Sequence, residues 1–461
     1  MPPDGFRANL TEGPVGKTLA SLALPTVWGI FSIIAFNLAD TYFVGQLGTK
    51  ELAALSFTFP VVMAMGSLAL GLAVGTSSLV ARAIGEGDRL RVRRLTTNSL
   101  TLSLLVVGVF VACGLLTIDP LFAALGAGPE VRPLIREYMR IWYPGMVFVV
   151  IPMVGCGAIR GAGDAKTPSL IMTVAAGANV VLDPLLIFGL AGMPRLELEG
   201  AAIATVISRA LTLAASLWIL HYRERMLLLS AQRWGDMLRS WRDILAIGLP
   251  AGAANMIVSF SMGVIVSFVA GFGPEAVAGF GVATRIEAFT MIVLIALASS
   301  VGPFVGQNWG AGRFDRVHLA LRQSFLFSLI WGLVMVAVLA AAGGRLAALF
   351  DPDPRVVAVA AGYLCIVPLG YGAEGVGTIG RSAFFGLGMP GKATGLTAVR
   401  MLVLYIPMAW AASRWFGIDG IFAAAVVTAA LIALATYALC RRISRGKPAA
   451  FVPEERGQAM V

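Results

Sequence analysis

Twelve apolar runs, each long enough to cross a bilayer as a helix, constrain this chain of 461 residues more than any other feature. They fall at 17–44, 51–79, 94–118, 131–157, 168–190, 200–222, 243–270, 276–301, 317–342, 355–385, 393–413 and 418–440. A hydrocarbon core of about 30 Å takes about 20 residues of helix. In lipid every backbone amide must be paired within the protein, so only helices and closed barrels span it, and these runs are too long and continuous for barrel strands. Residue usage agrees: 58% of the chain is hydrophobic and 13% charged, where a soluble domain carries about 25% charged residues. The expected fold is an all-α integral membrane protein. The first run is too long for a cleaved signal peptide and lacks a small-residue cleavage site, so it is read as a span.

The net charge of +10 does not point to nucleic acid, because of where the charge lies. Lys and Arg gather after alternate runs: Arg82 to Arg94, then Arg223 to Arg242, then Arg313, Arg316 and Arg322, and last Arg441, Arg442, Arg445 and Lys447. The opposite loops, such as GFGPEA at 271–276, are poorer in cations. Cytoplasmic loops carry this excess, so both termini are expected in the cytoplasm of a prokaryotic plasma (inner) membrane. Contact of the basic tail with anionic lipid is a second role for the same charges. The cysteines Cys113, Cys156, Cys365 and Cys440 lie in apolar runs at no ligand spacing, and His221 and His318 are isolated. They read as core residues, with no metal, disulfide or cofactor. There is no Walker A sequence and no soluble catalytic domain, which argues against ATP-driven transport and against an enzyme.

The chain also repeats itself. With Pro25 set against Pro250, blocks match at a constant offset of 225: ALPTVWG against GLPAGAA, Gly48 against Gly273, Gly85 against Gly310, Gly161 and Gly163 against Gly386 and Gly388. LEGAAIATVIS at 198–208 faces IDGIFAAAVVT at 418–428 at a slightly shorter offset. Six runs per copy put both copies in the same orientation, a parallel repeat about an axis normal to the membrane, as in transporters. The expected units are a cytoplasmic segment 1–16, an N-lobe 17–222, a linker 223–242, a C-lobe 243–440 and a basic tail 441–461. Trp234 and Trp241 in the linker fit either an interfacial amphipathic helix or a plain connection.

Ionisable residues inside a span are costly, about 2.5–3.5 kcal/mol on insertion scales, and are functional candidates by default. Asp40 stands near the outer end of the first run, Asp183 seven residues before the end of the fifth, and Thr205 five residues into the sixth. At 1.5 Å per residue all three reach similar depth, and Asn179 shares a face with Asp183 one turn away. Two desolvated carboxylates disfavour each other's ionisation and would titrate as a unit, a proton switch; the same oxygens also suit sodium, and the residues leave that choice open. Bland readings stand beside these: Asp40 bonded to Asn37 or Thr41, Asp183 as an N-cap before Pro184 restarting a broken helix, and Thr205 as packing. Pro25 removes a backbone hydrogen bond and offers a hinge in the first helix. The copy keeps Pro250 but has Ile265 in place of Asp40. The C-lobe offers Arg285, Glu287, Tyr371 and Glu374, as a substrate site or as an Arg285–Glu374 structural pair; Pro368 and five glycines from Gly370 to Gly380 weaken its fourth helix.

The blocks NLADTYFVGQLGTKELAALSFTFPV, GEGD, RGAGDAKTP and NVVLDPLLIFG resemble the MATE (multidrug and toxic compound extrusion) family, in its DinF-like prokaryotic branch, over residues 15–440. The resemblance implies two six-helix lobes in a V and cation-driven export. It also implies that Asp40, Asn179, Asp183 and Thr205 match the family's cation-responsive N-lobe site. The function expected is antiport of amphipathic, often cationic, organic compounds against protons, with sodium as the alternative ion, by a monomer among membrane lipids. The rival is a flippase for a lipid-linked sugar or other polar lipid. Such a protein needs cations in its cavity, and Arg209, Arg285 and Arg400 are the helix arginines counted here.

Overall fold

A computed structural model describes residues 9–47, 49–228, 230 and 232–445. The first half of the segment 1–16, all of the tail beyond Arg445, and Gly48 of the repeat lie outside the described residues. A short turn at Asn9–Thr11 precedes helices α1 (Val15–Gly45), α2 (Thr49–Gly85), α3 (Arg89–Ala124), α4 (Arg132–Gly145), α5 (Val147–Gly161), α6 (Lys166–Ile187) and α7 (Glu197–Trp218). The second half follows with α8 (Trp234–Ala270), α9 (Pro274–Gly310), α10 (Phe314–Ala348), α11 (Pro354–Ile366), α12 (Tyr371–Gly386), α13 (Pro390–Ala398) and α14 (Ile406–Arg445). No strand occurs among the described residues.

Among the described residues eleven continuous stretches are long and apolar enough to span, and the last of them, Pro390–Ile443, holds two crossings. Its 54 residues would extend about 80 Å as one helix, far beyond a bilayer. The chain reverses at Gly417, whose φ of 62° and ψ of −147° only glycine adopts at low cost. Twelve crossings result. The fourth span of each half is broken at matching positions: α4 gives way to α5 at Met146, and α11 to α12 through a tight turn at Val367–Gly370. Pro368 and its glycines thus break the span where the sequence weakens it.

The repeat is visible in the packing. A Cβ at Gly85 would strike Gln307 O, and one at Gly310 would strike Arg82 O, so positions 225 apart meet across the joint in reciprocal pairs. Within the halves, a Cβ at Gly161 would lie 2.8 Å from Ser77 O, and one at Gly386 would strike Gly302 O in the same way. The halves also meet along α2 and α8, where a Cβ at Gly75 would lie 2.7 Å from Ile244 O. Small residues let helix backbones approach where lipid supplies no hydrophobic drive. Gly75→Val is therefore expected to lower stability by about 1–3 kcal/mol through overpacking. Thermal unfolding of the purified protein reads this, and an unchanged midpoint would show the joint to be loose.

Among the described residues between Arg223 and Trp234 no separate helix occurs, and Trp234 and Trp241 already belong to α8. The segment before them is tied down by α3, since Leu228 N donates to Thr97 Oγ1 (2.8 Å), Arg93 Nη2 to Leu227 O (2.9 Å) and Trp241 Nε1 to Asn98 O (3.0 Å). These bonds hold the linker as a strap.

Candidate functional site

The N-lobe site grows from the contact between α1 and α6. A Cβ at Gly29 would lie 3.1 Å from Ser169, and Ser32 Oγ bonds Thr173 Oγ1 at 3.0 Å, which clamps the two helices in register. Two turns further along α1 stands Asp40, half-buried. On α6, Asn179 and Asp183 are fully buried. The hydrogen-bond network sets the Asn179 amide so that its nitrogen donates to Asp183 Oδ2 (2.7 Å) and its oxygen accepts from Thr205 N (3.2 Å) on α7. Asp183 Oδ1 is buried with no hydrogen-bond partner. The sequence-predicted residues Asp40, Asn179, Asp183 and Thr205 are thus brought to one end of the lobe.

The helix-start reading of Asp183 and the Thr41 reading of Asp40 fail on this geometry. α6 runs unbroken through Pro184 to Ile187, so Asp183 lies in its last turn and caps nothing. Thr41 Oγ1 donates to Asn37 O at 2.8 Å, so it turns to its own helix and not to Asp40. A further residue joins the cluster: Tyr138 on α4 is buried, within electrostatic reach of both Asp40 and Asp183. A tyrosine in an apolar run carries no signal alone. The offset of 225, however, sets it against Tyr363 in the other lobe.

In the C-lobe, Tyr363 Oη donates to Glu287 Oε2. Tyr363, Tyr371 and Tyr405 all lie within electrostatic reach of Glu287. Glu374 on α12 pairs with Arg400 and, at 3.7 Å, with Arg381, and Thr378 Oγ1 donates to its Oε1 at 3.3 Å. The Arg285–Glu374 pair is therefore overturned: Arg285 points to the exposed side of α9, while Arg400 and Arg381 take the acid. The count of helix arginines is also corrected: Arg381 sits in the last turns of α12, and Arg136, Arg140, Arg160 and Arg322 lie in helices as well. Arg400 is 8% exposed, and its Nε has no partner. Glu287, Tyr371 and Glu374 do share one cluster, as the sequence suggests; Arg285 does not join it.

Pro25 occupies the point where α1 changes neighbours. Before it, Leu19 and Leu22 pack with Phe304, Leu321 and Phe325 of the C-lobe helices; after it, Gly29 and Ser32 pack on α6.

Similar proteins carry the same design. The MatE family model matches residues 25–185 and again 250–411, one match beginning at each proline of the repeat. The chain is 38% identical over 437 residues to the FAD transporter of Shewanella oneidensis, covering 95% of this chain and 97% of that one. It is 25% identical to the multidrug export protein MepA of Staphylococcus aureus, covering 92% and 93%. The Vibrio cholerae MATE transporter VcmN in its bent form superposes with a TM-score of 0.88 at 27% identity, covering 94% of this chain and 97% of that one. With the family model matched in both lobes and a relative aligned along nearly the whole length, this chain belongs to the MatE family of multi-pass membrane transporters, which are not enzymes.

Proposed function

We propose that this transporter is a proton-driven secondary exporter of organic compounds, working by alternating access between an N-lobe (17–222) and a C-lobe (243–440). Both termini face the cytoplasm of a prokaryotic plasma membrane. The observation that carries the reading is Asp183: buried, its Oδ2 held by the Asn179 amide nitrogen, its Oδ1 without a partner. A buried ionised carboxylate with one bare oxygen is expensive, and a proton on Oδ1 removes the charge. A sodium ion would want oxygens turned toward it, whereas Asn179 offers Asp183 its N–H and commits its oxygen to Thr205 N. Asp40 and Tyr138 complete the site. Neutralising Asp40 and Asp183 lets α1 settle closer to α6, pivoting at Pro25 and displacing the load outward.

The first substrate reading is an amphipathic organic cation, in keeping with relatives named for multidrug export. A second reading, an anionic compound such as FAD, is favoured by the Arg381–Arg400 pair, which sets two guanidiniums against Glu374, and by the relative named for FAD. Guanidinium suits phosphate through its fork of donors. Reconstituted vesicles loaded with a cationic dye or with FAD, under separately imposed pH and sodium gradients, decide both questions. Efflux is expected with the pH gradient alone. Efflux under sodium alone would overturn the proton reading, and transport of neither compound would overturn export of these classes.

A further inference from the structure

The turn Asn9–Thr11 sits in the joint between the lobes, at the end of the molecule where α1 begins. Leu10 is 3% exposed, packed with Phe304, Val305 and Ala165, and a Cβ at Gly163 would lie 3.1 Å from its Cγ. Three side chains of the C-lobe grip the backbone around it. Gln307 Oε1 accepts from Leu10 N (3.3 Å), while Gln307 Nε2 donates to Gly161 O of α5 (2.9 Å), reaching the other lobe. Asn308 Nδ2 donates to Leu10 O (3.0 Å), and Asn308 Oδ1 accepts from Arg316 Nε (2.9 Å). Arg316 then donates to Gly13 O (2.7 Å), Glu12 O (3.0 Å) and Leu10 O (3.2 Å).

We propose that Gln307, Asn308 and Arg316 are positioning residues of the transport cycle: with the turn Asn9–Thr11 as their keystone, they lock the lobes together at this end, and the substrate path opens there only when the lock parts. Gln307 and Asn308 are 0% exposed, and a buried amide left unbonded is costly. A residue serving only its own lobe would be satisfied within it. Here the Gln307 amide bridges α9, α5 and the terminal turn. The N-lobe copy has no such set: Arg82, Ala83 and Arg91 stand at the equivalent positions. Only Arg91 repeats a member of the set, so the lock has no full counterpart at the N-lobe positions. Its parts are hydrogen bonds of modest net strength, so a change of load or proton state suffices to shift the balance between locked and open forms. The proposal rests on alternating access, and on the orientation argued above only for calling this side cytoplasmic.

The test measures the lock without substrate, ion gradient or assay of export. Spin labels go at Lys166→Cys and Lys392→Cys, exposed positions at this end of the N- and C-lobes, with the four native cysteines replaced by serine. Pulsed electron–electron distance measurement on the full-length protein in nanodiscs then reads the separation. Gln307→Leu and Arg316→Met are each expected to raise the population of the longer distance about tenfold, the scale of one or two lost hydrogen bonds, and Arg316→Lys to restore part of the shorter one. A distribution that does not shift in either variant overturns the proposal, whatever happens to the unfolding midpoint, since a merely structural role lowers stability without moving the balance. Because no proton or substrate enters the measurement, failure of the proton-driven reading would leave this result standing, and the reverse also holds.

Discussion

Reconstituted Asp40→Asn protein is expected to fold and insert as the parent does, and to lose export driven by a pH gradient by about tenfold or more, a rise of about 1.4 kcal/mol in the barrier per factor of ten in rate. Asparagine matches aspartate in size but carries no exchangeable charge, so it fixes the site in a state resembling the protonated one. If one proton exchanges for one monovalent cation, the cycle is electroneutral and only the pH difference drives it, at about 1.4 kcal/mol per unit. A second proton, for which Asp183 is the acceptor, adds the membrane potential, about 2.3 kcal/mol per 100 mV for the extra charge. Adding Ile265→Asp to Asp40→Asn should not rescue export. The C-lobe counterparts of Asn179 and Asp183 are Leu404 and Met408, which give the new acid no partner. The measurement is initial efflux from vesicles at matched protein content. Efflux at the parent rate would remove Asp40 from the coupling path and direct attention to Glu287 and Glu374.

Much of this was legible before any coordinates, for a physical reason. A bilayer permits few solutions, so span length, cation placement and the 225-residue offset already imply the twelve crossings and the two lobes. The depth argument for Asp40, Asp183 and Thr205 works because helix rise is fixed and the spans share one slab. What escaped notice depends on rotation about each helix axis, which apolar runs without a polar stripe do not encode. Tyr138 was hidden because nothing local separates a tyrosine that faces two acids from one that faces lipid. Arg285 and Arg381 illustrate the same limit: each sits in a helix that also holds an acid, yet only Arg381 turns toward Glu374. Asp183 before Pro184 looks like a helix start, and the two residues instead lie in the last turns of one, since α6 runs on through the proline to Ile187. The N-terminal turn belongs to a segment read only as a cytoplasmic leader, because its partners lie about 300 residues away.

The C-lobe cluster leads to the second large effect. Glu374→Gln leaves the guanidiniums of Arg381 and Arg400 facing each other without the carboxylate between them, and removing one partner of a buried ion pair costs about 3–5 kcal/mol. Arg400→Met is expected to cost less, because Glu374 keeps Arg381 at 3.7 Å and Thr378 at 3.3 Å. Thermal unfolding of the two purified variants tests this order: the Gln variant should melt well below the Met variant, and the Met variant below the parent. Equal midpoints for all three would show that solvent already screens the cluster and that it contributes nothing to holding α12 against the helix that carries Arg400. The same pair separates the two substrate readings. If the guanidiniums receive a phosphate, Arg400→Met should raise KM for FAD by about tenfold, the scale of one charge-assisted hydrogen bond, and leave KM for a cationic dye unchanged. If the pair only braces the helices, both KM values should stay put while stability falls, and the cation reading of the substrate would then stand alone.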